Sequence, residues 1–248
     1  MTGVRVAAVG DLHVGVESRG KLRPHFEHVA QRADVLLLAG DLTRVGHPDE
    51  AIVLADELRD LSVPVLAVLG NHDHHCDADD QVVKVLDQAG VRVLEGETAV
   101  LDVGGTRLGV AGAKGFGGGF AGACGSEFGE PEMKAFMGHT RDAAAVLEGC
   151  LGDLDADVRI ALLHYSPVEA TLQGERLEIY PFLGSYLLAE AIDRAGADLV
   201  VHGHAHGGSE RGVTPGGVPV RNVAQPVLER AYAVYCFGHD HPGQSSCD

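Results

Sequence analysis

Asp, Asn and His recur in this 248-residue chain at places where a run of apolar residues stops. The places are Gly10–Asp11–Leu12–His13, Gly40–Asp41, Gly70–Asn71–His72–Asp73, His164 and Gly203–His204–Ala205–His206. In the Asp-x-His and His-x-His pairs the two side chains fall on one side of an extended segment, free to converge on one ion. A glycine ahead of the polar residue lets the backbone turn sharply and lets a ligand come close. Carboxylate and amide oxygens mixed with imidazole, and no thiolate, suit Mn, Fe, Zn or Ni rather than a structural zinc site. Taken singly, the Asp and Asn residues are ordinary turn-formers, and each His is an ordinary structural histidine. Only the joint, ordered pattern carries the metal reading. The chain has 14 histidines in all, and neutral imidazole is the commonest metal ligand.

These residues need strands to hold them. Val4–Val9, Val35–Leu38 and Val65–Leu69 are short apolar runs closed by Gly or Ala-Gly, and Leu22–Arg32 and Asp49–Asp60 between them have near-helical apolar spacing. Continuous apolar strands alternating with helices predict βαβ units and a mainly parallel sheet covered on both faces. Chemistry in such sheets gathers past the carboxyl ends of the strands, where Asp11, His13, Asp41, Asn71 and His72 stand. A helix over about Asp79–Ala89 leads to Arg92–Leu94, Thr98–Asp102 and Thr106–Ala111, read as a meander of short strands. Residues 112–129 are glycine-rich, and two roles are open to them: a surface loop, or a lid over the site. A helix ending near Leu151, a strand Ile160–Leu163, a helix Tyr186–Ala195 and a strand Asp198–Val201 follow, and Val218–Val223 and Ala231–Phe237 close the sheet. One domain over 1–238 and a polar tail over 239–248 are expected.

The formal net charge is −17, from 36 acidic and 19 basic residues. Long anionic polymers are repelled by such a surface, because affinity for them rests on Lys and Arg neutralising phosphates. The cysteines, Cys76, Cys124, Cys150, Cys236 and Cys247, are odd in number and scattered, so neither a disulfide framework nor a zinc ribbon is expected. No run approaches the roughly 18 apolar residues of a membrane span, and no signal peptide is read at the N-terminus. A reduced, cytoplasmic setting is the expectation.

The ordered set D-x-H, G-D, G-N-H-D, H, G-H-x-H, running from Asp11 to His206, resembles the calcineurin-like metallophosphoesterase superfamily. The resemblance implies an α/β fold in four layers, with two mixed β-sheets packed as a sandwich and flanked by helices. It implies two divalent or trivalent ions (Mn, Fe, Zn or Ni): the first bound by Asp11, His13 and His206, the second by Asn71, His164 and His204, with Asp41 bridging. His72 is implied to face the phosphoryl oxygens without binding metal, and to give a hydrogen bond or proton to the leaving oxygen. Asp73 is expected to orient His72, as carboxylates do for other working histidines. The implied reaction is phosphoester hydrolysis by a hydroxide shared between ions roughly 3.5–4 Å apart.

Gly40–Asp41–Leu42–Thr43–Arg44–Val45–Gly46 departs from the Gly-Asp-x-x-Asp-Arg-Gly of the Ser/Thr protein phosphatases, and Asp73 stands where those enzymes have Glu. The forms here are closer to the bacterial phosphodiesterases, so small phosphodiesters are the expected substrates. Phosphomonoesters, a nuclease of the same superfamily and a non-catalytic scaffold remain as alternatives. Lys114, Phe116, Phe120 and Arg176 are candidates to touch substrate, and Tyr180–Gly184 is either an apolar wall for it or a packed loop. His202, ending a strand, is read as packed, and His74, His75 and Cys76 as a solvated rim.

Overall fold

The computed structural model describes residues 3–238; the expected polar tail, 239–248, lies outside the described residues. Thirteen strands occur in chain order: β1 Val4–Val9, β2 Val35–Ala39, β3 Val65–Val68, β4 Val91–Val93, β5 Glu97–Val103, β6 Thr106–Gly112, β7 Gly119–Phe120, β8 Ala123–Cys124, β9 Val158–Leu162, β10 Leu199–His202, β11 Arg211–Val213, β12 Pro219–Asn222 and β13 Ala233–Phe237. The α-helices are α1 Arg23–Phe26, α2 Val29–Arg32, α3 Pro48–Leu58, α4 Asp79–Gln88, α5 Pro131–Gly152, α6 Tyr180–Leu183, α7 Tyr186–Ala195 and α8 Gln225–Leu228.

Eleven of these strands form two large mixed sheets flanked by helices, ordered β13-β1-β2-β3-β4 and β11-β12-β10-β9-β6-β5, and β7 pairs with β8 alone. In the first, β1 to β4 run parallel and β13 pairs antiparallel with β1. In the second, β6, β9, β10 and β12 are parallel, with β5 and β11 as antiparallel edges.

Side-chain alternation explains how one strand serves two layers. Ile160 and Leu162 of β9 join Leu36, Leu38 and Val6 in the apolar cluster between the sheets. Their neighbours Ala161 and Leu163 face the other way, packing with Leu147 and Leu151 of α5 and Leu188 and Ile192 of α7. The central strands of the first sheet, β2 and β3, are apolar at every position, as burial on both faces demands.

Two local expectations fail. The meander does not form: β4 pairs with β3 in the first sheet, whereas β5 pairs with β6 in the second. The crossing takes only Leu94–Gly96. Leu94 donates its N–H to Ala67 at 2.7 Å and Gly96 donates to Gly112 at 2.9 Å, so the residues on either side of Glu95 hold opposite sheets. The helix expected over Leu22–Arg32 is broken into α1 and α2, because His28 leaves helical geometry at φ −105°, ψ 8°. No helix among the described residues is long and apolar enough to cross a membrane. Among the described residues Cys76, Cys124 and Cys150 are free.

Leu37 is fully buried in β2, between β1 and β3. Leu37→Ala should cost about 2–5 kcal/mol of unfolding free energy by urea titration. Val100→Ala on edge strand β5, where Val100 is 45% exposed, should change it little.

Candidate metal centre

Each strand-end segment is fixed by main-chain bonds to another. Asp11 donates its N–H to Gly40 at 2.9 Å and His13 to Asp41 at 3.0 Å, so the turns after β1 and β2 continue side by side. The Asp11 carboxylate accepts the His204 N–H at 3.0 Å, and Asp41 Oδ1 accepts the His72 N–H at 2.9 Å. Asp11, His13, Asp41 and His204 all have positive φ, between 44° and 69°. This is a costly backbone state for such residues, of order 1–3 kcal/mol each, that persists only where the surroundings enforce it.

The glycines are required by close approach. A Cβ on Gly40 would lie 2.4 Å from His164 Nδ1, one on Gly70 2.1 Å from Asp41 Oδ1, and one on Gly203 2.3 Å from Asp11 Oδ2. The space left by each missing side chain is thus filled by a chemistry-bearing residue of another segment.

The side chains gather in two groups. The donor atoms of Asp11, His13, Asp41 and His206 lie within 4.8 Å of one another, as do those of Asp41, His164 and His204. Asn71 joins the second group, its Oδ1 lying 3.0 Å from His164 Nε2. Asp41 belongs to both. All seven residues singled out from the sequence as ligands are therefore brought together, in the two sets expected.

Carbonyl oxygens decide which imidazole nitrogen each histidine presents. A carbonyl only accepts, so the nitrogen facing it carries the proton and the other is left bare. His164 Nδ1 donates to Ala39 at 2.9 Å, leaving Nε2 toward Asp41 Oδ1 at 3.3 Å. His204 Nε2 donates to Phe182 at 3.1 Å, leaving Nδ1. Burial drives both imidazoles down to about 3, so they stay neutral with a lone pair available. His13 is also lowered by burial, whereas His206 is raised by its 2.8 Å bond to Asp11. Burial pushes Asp11 up to about 6.

Asp11 and Asp41 are 2% and 1% exposed, and among the described residues neither closes an ion pair with a lysine or arginine. Lysine and arginine therefore supply no compensating cation to these buried carboxylates. The donor set fits divalent transition-metal ions.

His72 is placed differently. Its Nδ1 donates to the Arg44 carbonyl at 2.7 Å, and its Nε2 lies 3.8 Å from Asp41 Oδ2, outside both ligand groups. The expected Asp73–His72 bond is not made. The Asp73 carboxylate accepts N–H bonds from Leu42, Thr43 and Gly70 and the Thr43 hydroxyl at 2.6–3.1 Å. Asp73 thus pins the segment just before Arg44, whose carbonyl does the orienting. Asp73 is fully buried between the turns after β2 and β3, where the N–H groups of Leu42, Thr43 and Gly70 claim its carboxylate.

Other candidates separate cleanly. His202 is packed, its ring nitrogens bonded to Gly203 O and Thr171 Oγ1 at 2.8 Å. His75 and Cys76 are exposed, and His74 is half-buried. The glycine-rich segment is a surface loop only over 121–130; residues 115–120 are largely buried. Gly118 and Gly119 donate to Pro181 and Gly184, and Thr140 donates to Gly117, so this stretch is packed in place rather than free to cover the site. Phe120 is 3% exposed, within a cluster of Leu172, Leu183 and Ala205. Phe182, in the expected Tyr180–Gly184 wall, is 61% exposed. Tyr165, unforeseen, lies against His204 with ring centroids 4.5 Å apart. Its position directly after His164 was the available signal.

A sandwich of this topology, with two ligand groups sharing one carboxylate where its strands end, defines a class of metal-dependent phosphoester hydrolases. Residues 4–208 match the family described as calcineurin-like phosphoesterase, and the chain belongs to that family. It is 37% identical over 78 residues to a Synechococcus protein named as a probable cyclic nucleotide phosphodiesterase; the match spans 27% of this chain and 31% of that protein. The fold resembles the phosphopantetheinyl hydrolase of Mycobacterium tuberculosis, with a TM-score of 0.65, 19% identity, and 90% and 89% of the two chains covered. It also resembles Plasmodium GAP50, described as the anchor in the inner membrane complex, with a TM-score of 0.60, 12% identity, and 95% and 81% covered.

Because a Cβ on Gly203 would occupy the place of Asp11 Oδ2, Gly203→Ala should weaken metal affinity by about 10–100-fold, the scale for disturbing a ligand's support. Gly138→Ala in α5, where a Cβ meets nothing, should leave it unchanged. Metal titration at fixed pH compares the two.

Proposed function

We propose that the chain is a dinuclear metal-dependent phosphodiesterase acting on small phosphodiesters, with residues 1–238 as its working unit. The observation that carries this reading is the pair of ligand groups meeting at Asp41. Asp11, His13 and His206 would hold one ion, Asn71, His164 and His204 the other, and Asp41 both. When bound, two such ions supply charge neutralisation for the phosphoryl group and activation of water.

The protein's own residues do the rest. The Arg44 carbonyl keeps the His72 ring turned so that Nε2 faces the site. In its imidazolium form His72 offers the Nε2 proton to the departing alkoxide, and in its neutral form Nε2 is ready to be recharged. Asp73 acts through the turn that carries Arg44. The Tyr165 ring and the Phe182 carbonyl border the second ligand group at His204.

Preference for a diester rests on the Gly-Asp-Leu-Thr and Gly-Asn-His-Asp forms and on the partial likeness to a protein named for cyclic nucleotides. Preference for a small substrate rests on the net charge of −17, which opposes a long phosphate backbone. Mn, Fe, Zn and Ni all suit the donors.

Elemental analysis should find two ions per chain after reconstitution, and chelation should abolish hydrolysis. Asp41→Asn should lower occupancy of both sites. His72→Ala should retain the ions while slowing turnover about 10²–10⁴-fold. If His72→Ala loses metal as badly as Asp41→Asn, His72 is a ligand and this reading is wrong.

A second comparison tests the substrate. Under one metal and one salt condition, kcat/KM should be higher for bis-p-nitrophenyl phosphate or a cyclic nucleotide than for p-nitrophenyl phosphate, with little action on duplex DNA. A strong monoester preference would overturn the diester reading. Cleavage of long DNA that strengthens at low salt would overturn the small-substrate reading.

A further inference from the structure

The proposed mechanism leaves one cation near the metal centre unused. Lys114 follows β6, and its carbonyl accepts the N–H groups of both His164 and Tyr165 at 3.0 Å, which fixes its backbone beside a proposed ligand. The next residue, Gly115, has φ +77°, and a Cβ there would press on Leu188 and Tyr165 at 3.1 and 3.3 Å. That turn separates the course of Lys114 from that of Phe116, which packs on Phe136, His139 and Tyr165.

The Lys114 side chain is half-buried and stands in the field of four carboxylates, Glu95, Asp79, Asp73 and the shared Asp41. It closes an ion pair or hydrogen bond with none of them among the described residues. Each of these acids has other engagements. Glu95 accepts the Leu69 N–H at 2.8 Å, Asp73 is held by its four donors, Asp79 lies 3.5 Å from His74 Nδ1, and Asp41 sits among the ligands. His74, within reach of the Lys114 charge, has a buried Nε2 with no hydrogen-bond partner. Neither the Lys114 ammonium nor His74 Nε2 has a hydrogen-bond partner among the described residues.

A structural lysine would be expected to close one of these pairs, since an ammonium partly removed from water costs free energy unless it is compensated. Arg44 behaves that way, bonding Glu17 and approaching Glu50 at 3.7 Å. In a molecule of net charge −17, an anionic substrate also needs a local positive charge to offset the general repulsion.

We propose that Lys114 is a substrate-binding residue, its ammonium taking an anionic oxygen of a phosphate ester held beside the Asn71–His164 side of the centre. This rests on the phosphoesterase reading above. The occupant is defined by its chemistry: a phosphate oxyanion, in a charge-assisted hydrogen bond with Nζ.

The test uses Lys114→Met, which keeps the stem and removes the charge, and Lys114→Arg, which keeps the charge. Inorganic phosphate is titrated into manganese-loaded protein by calorimetry. Lys114→Met should bind phosphate about tenfold or more weakly, the usual size of a hydrogen bond to a charged group, and Lys114→Arg should recover most of the affinity. Ion content should be unchanged, and the melting temperature should stay level or rise, because an uncompensated cation has been removed. For bis-p-nitrophenyl phosphate the loss should fall mainly on KM, as expected for binding shared by ground and transition states. Phosphate affinity equal to that of the parent would overturn the proposal. A fall in melting temperature or ion content in Lys114→Met would also overturn it, by assigning Lys114 a structural role. Phosphate binding is read without turnover, so if no ester is hydrolysed the phosphoesterase reading fails while the Lys114 result still stands or falls by itself.

Discussion

Two carboxylates, Asp11 and Asp41, are buried where the sheets' strand ends meet, and among the described residues neither has a lysine or arginine ion pair. Burying unpaired charge is among the most expensive arrangements a protein can hold. Much of the surrounding architecture makes sense as a response to it. Backbone N–H groups of His72 and His204 are turned onto the carboxylates. Gly40, Gly70 and Gly203 leave room for His164, Asp41 and Asp11, respectively. The interlock is mutual, since each segment's glycine is the socket for another segment's side chain, and the turns after β1, β2, β3, β9 and β10 must form together. Such non-local dependence ties the site to both sheets rather than to one loop.

Histidine illustrates how one residue type is divided among roles. His164, His204 and His72 each donate a ring proton to a backbone carbonyl, yet the identity of the donating nitrogen differs. Where the remaining nitrogen faces Asp41 at close range among other donors, the ring suits metal binding. Where it stands 3.8 Å off in a half-exposed position, it suits contact with a substrate. His202, one residue before the Gly203 turn, spends both nitrogens on the protein and has nothing left to offer. Carbonyl placement, not residue identity, separates these cases.

This division also marks the limit of what could be read from the chain. The strands that carry the site, their mainly parallel character and the seven gathered residues were legible, because an apolar run ending in Gly-Asp or Gly-His is a local signal. Asp73 was misread because the nearest histidine in sequence was taken as its partner, when its partners are N–H groups of Leu42 and Thr43 about 30 positions away. The β4–β5 crossing was misread for a similar reason: nothing in three residues around Glu95 announces a change of sheet. The composition of the glycine-rich segment left a surface loop and a lid both open. Its glycines instead admit Pro181, Phe182 and Thr140 at contact distance, so the same residue type that loosens a loop here tightens one.

Likeness of fold does not by itself separate an enzyme from an anchor, since the same sandwich is found in a Plasmodium protein described as an anchor. Local costs are a better guide. Four residues at the centre, Asp11, His13, Asp41 and His204, hold positive φ, and the same small volume contains buried carboxylates and neutral histidines. Glycine at these positions would ease the backbone and remove the buried charge together. Features that lower stability and are concentrated at one point are the usual mark of a site maintained for its chemistry. An anchor using only the outer surfaces of the sandwich has no physical reason to retain them, and a phosphoester hydrolase does.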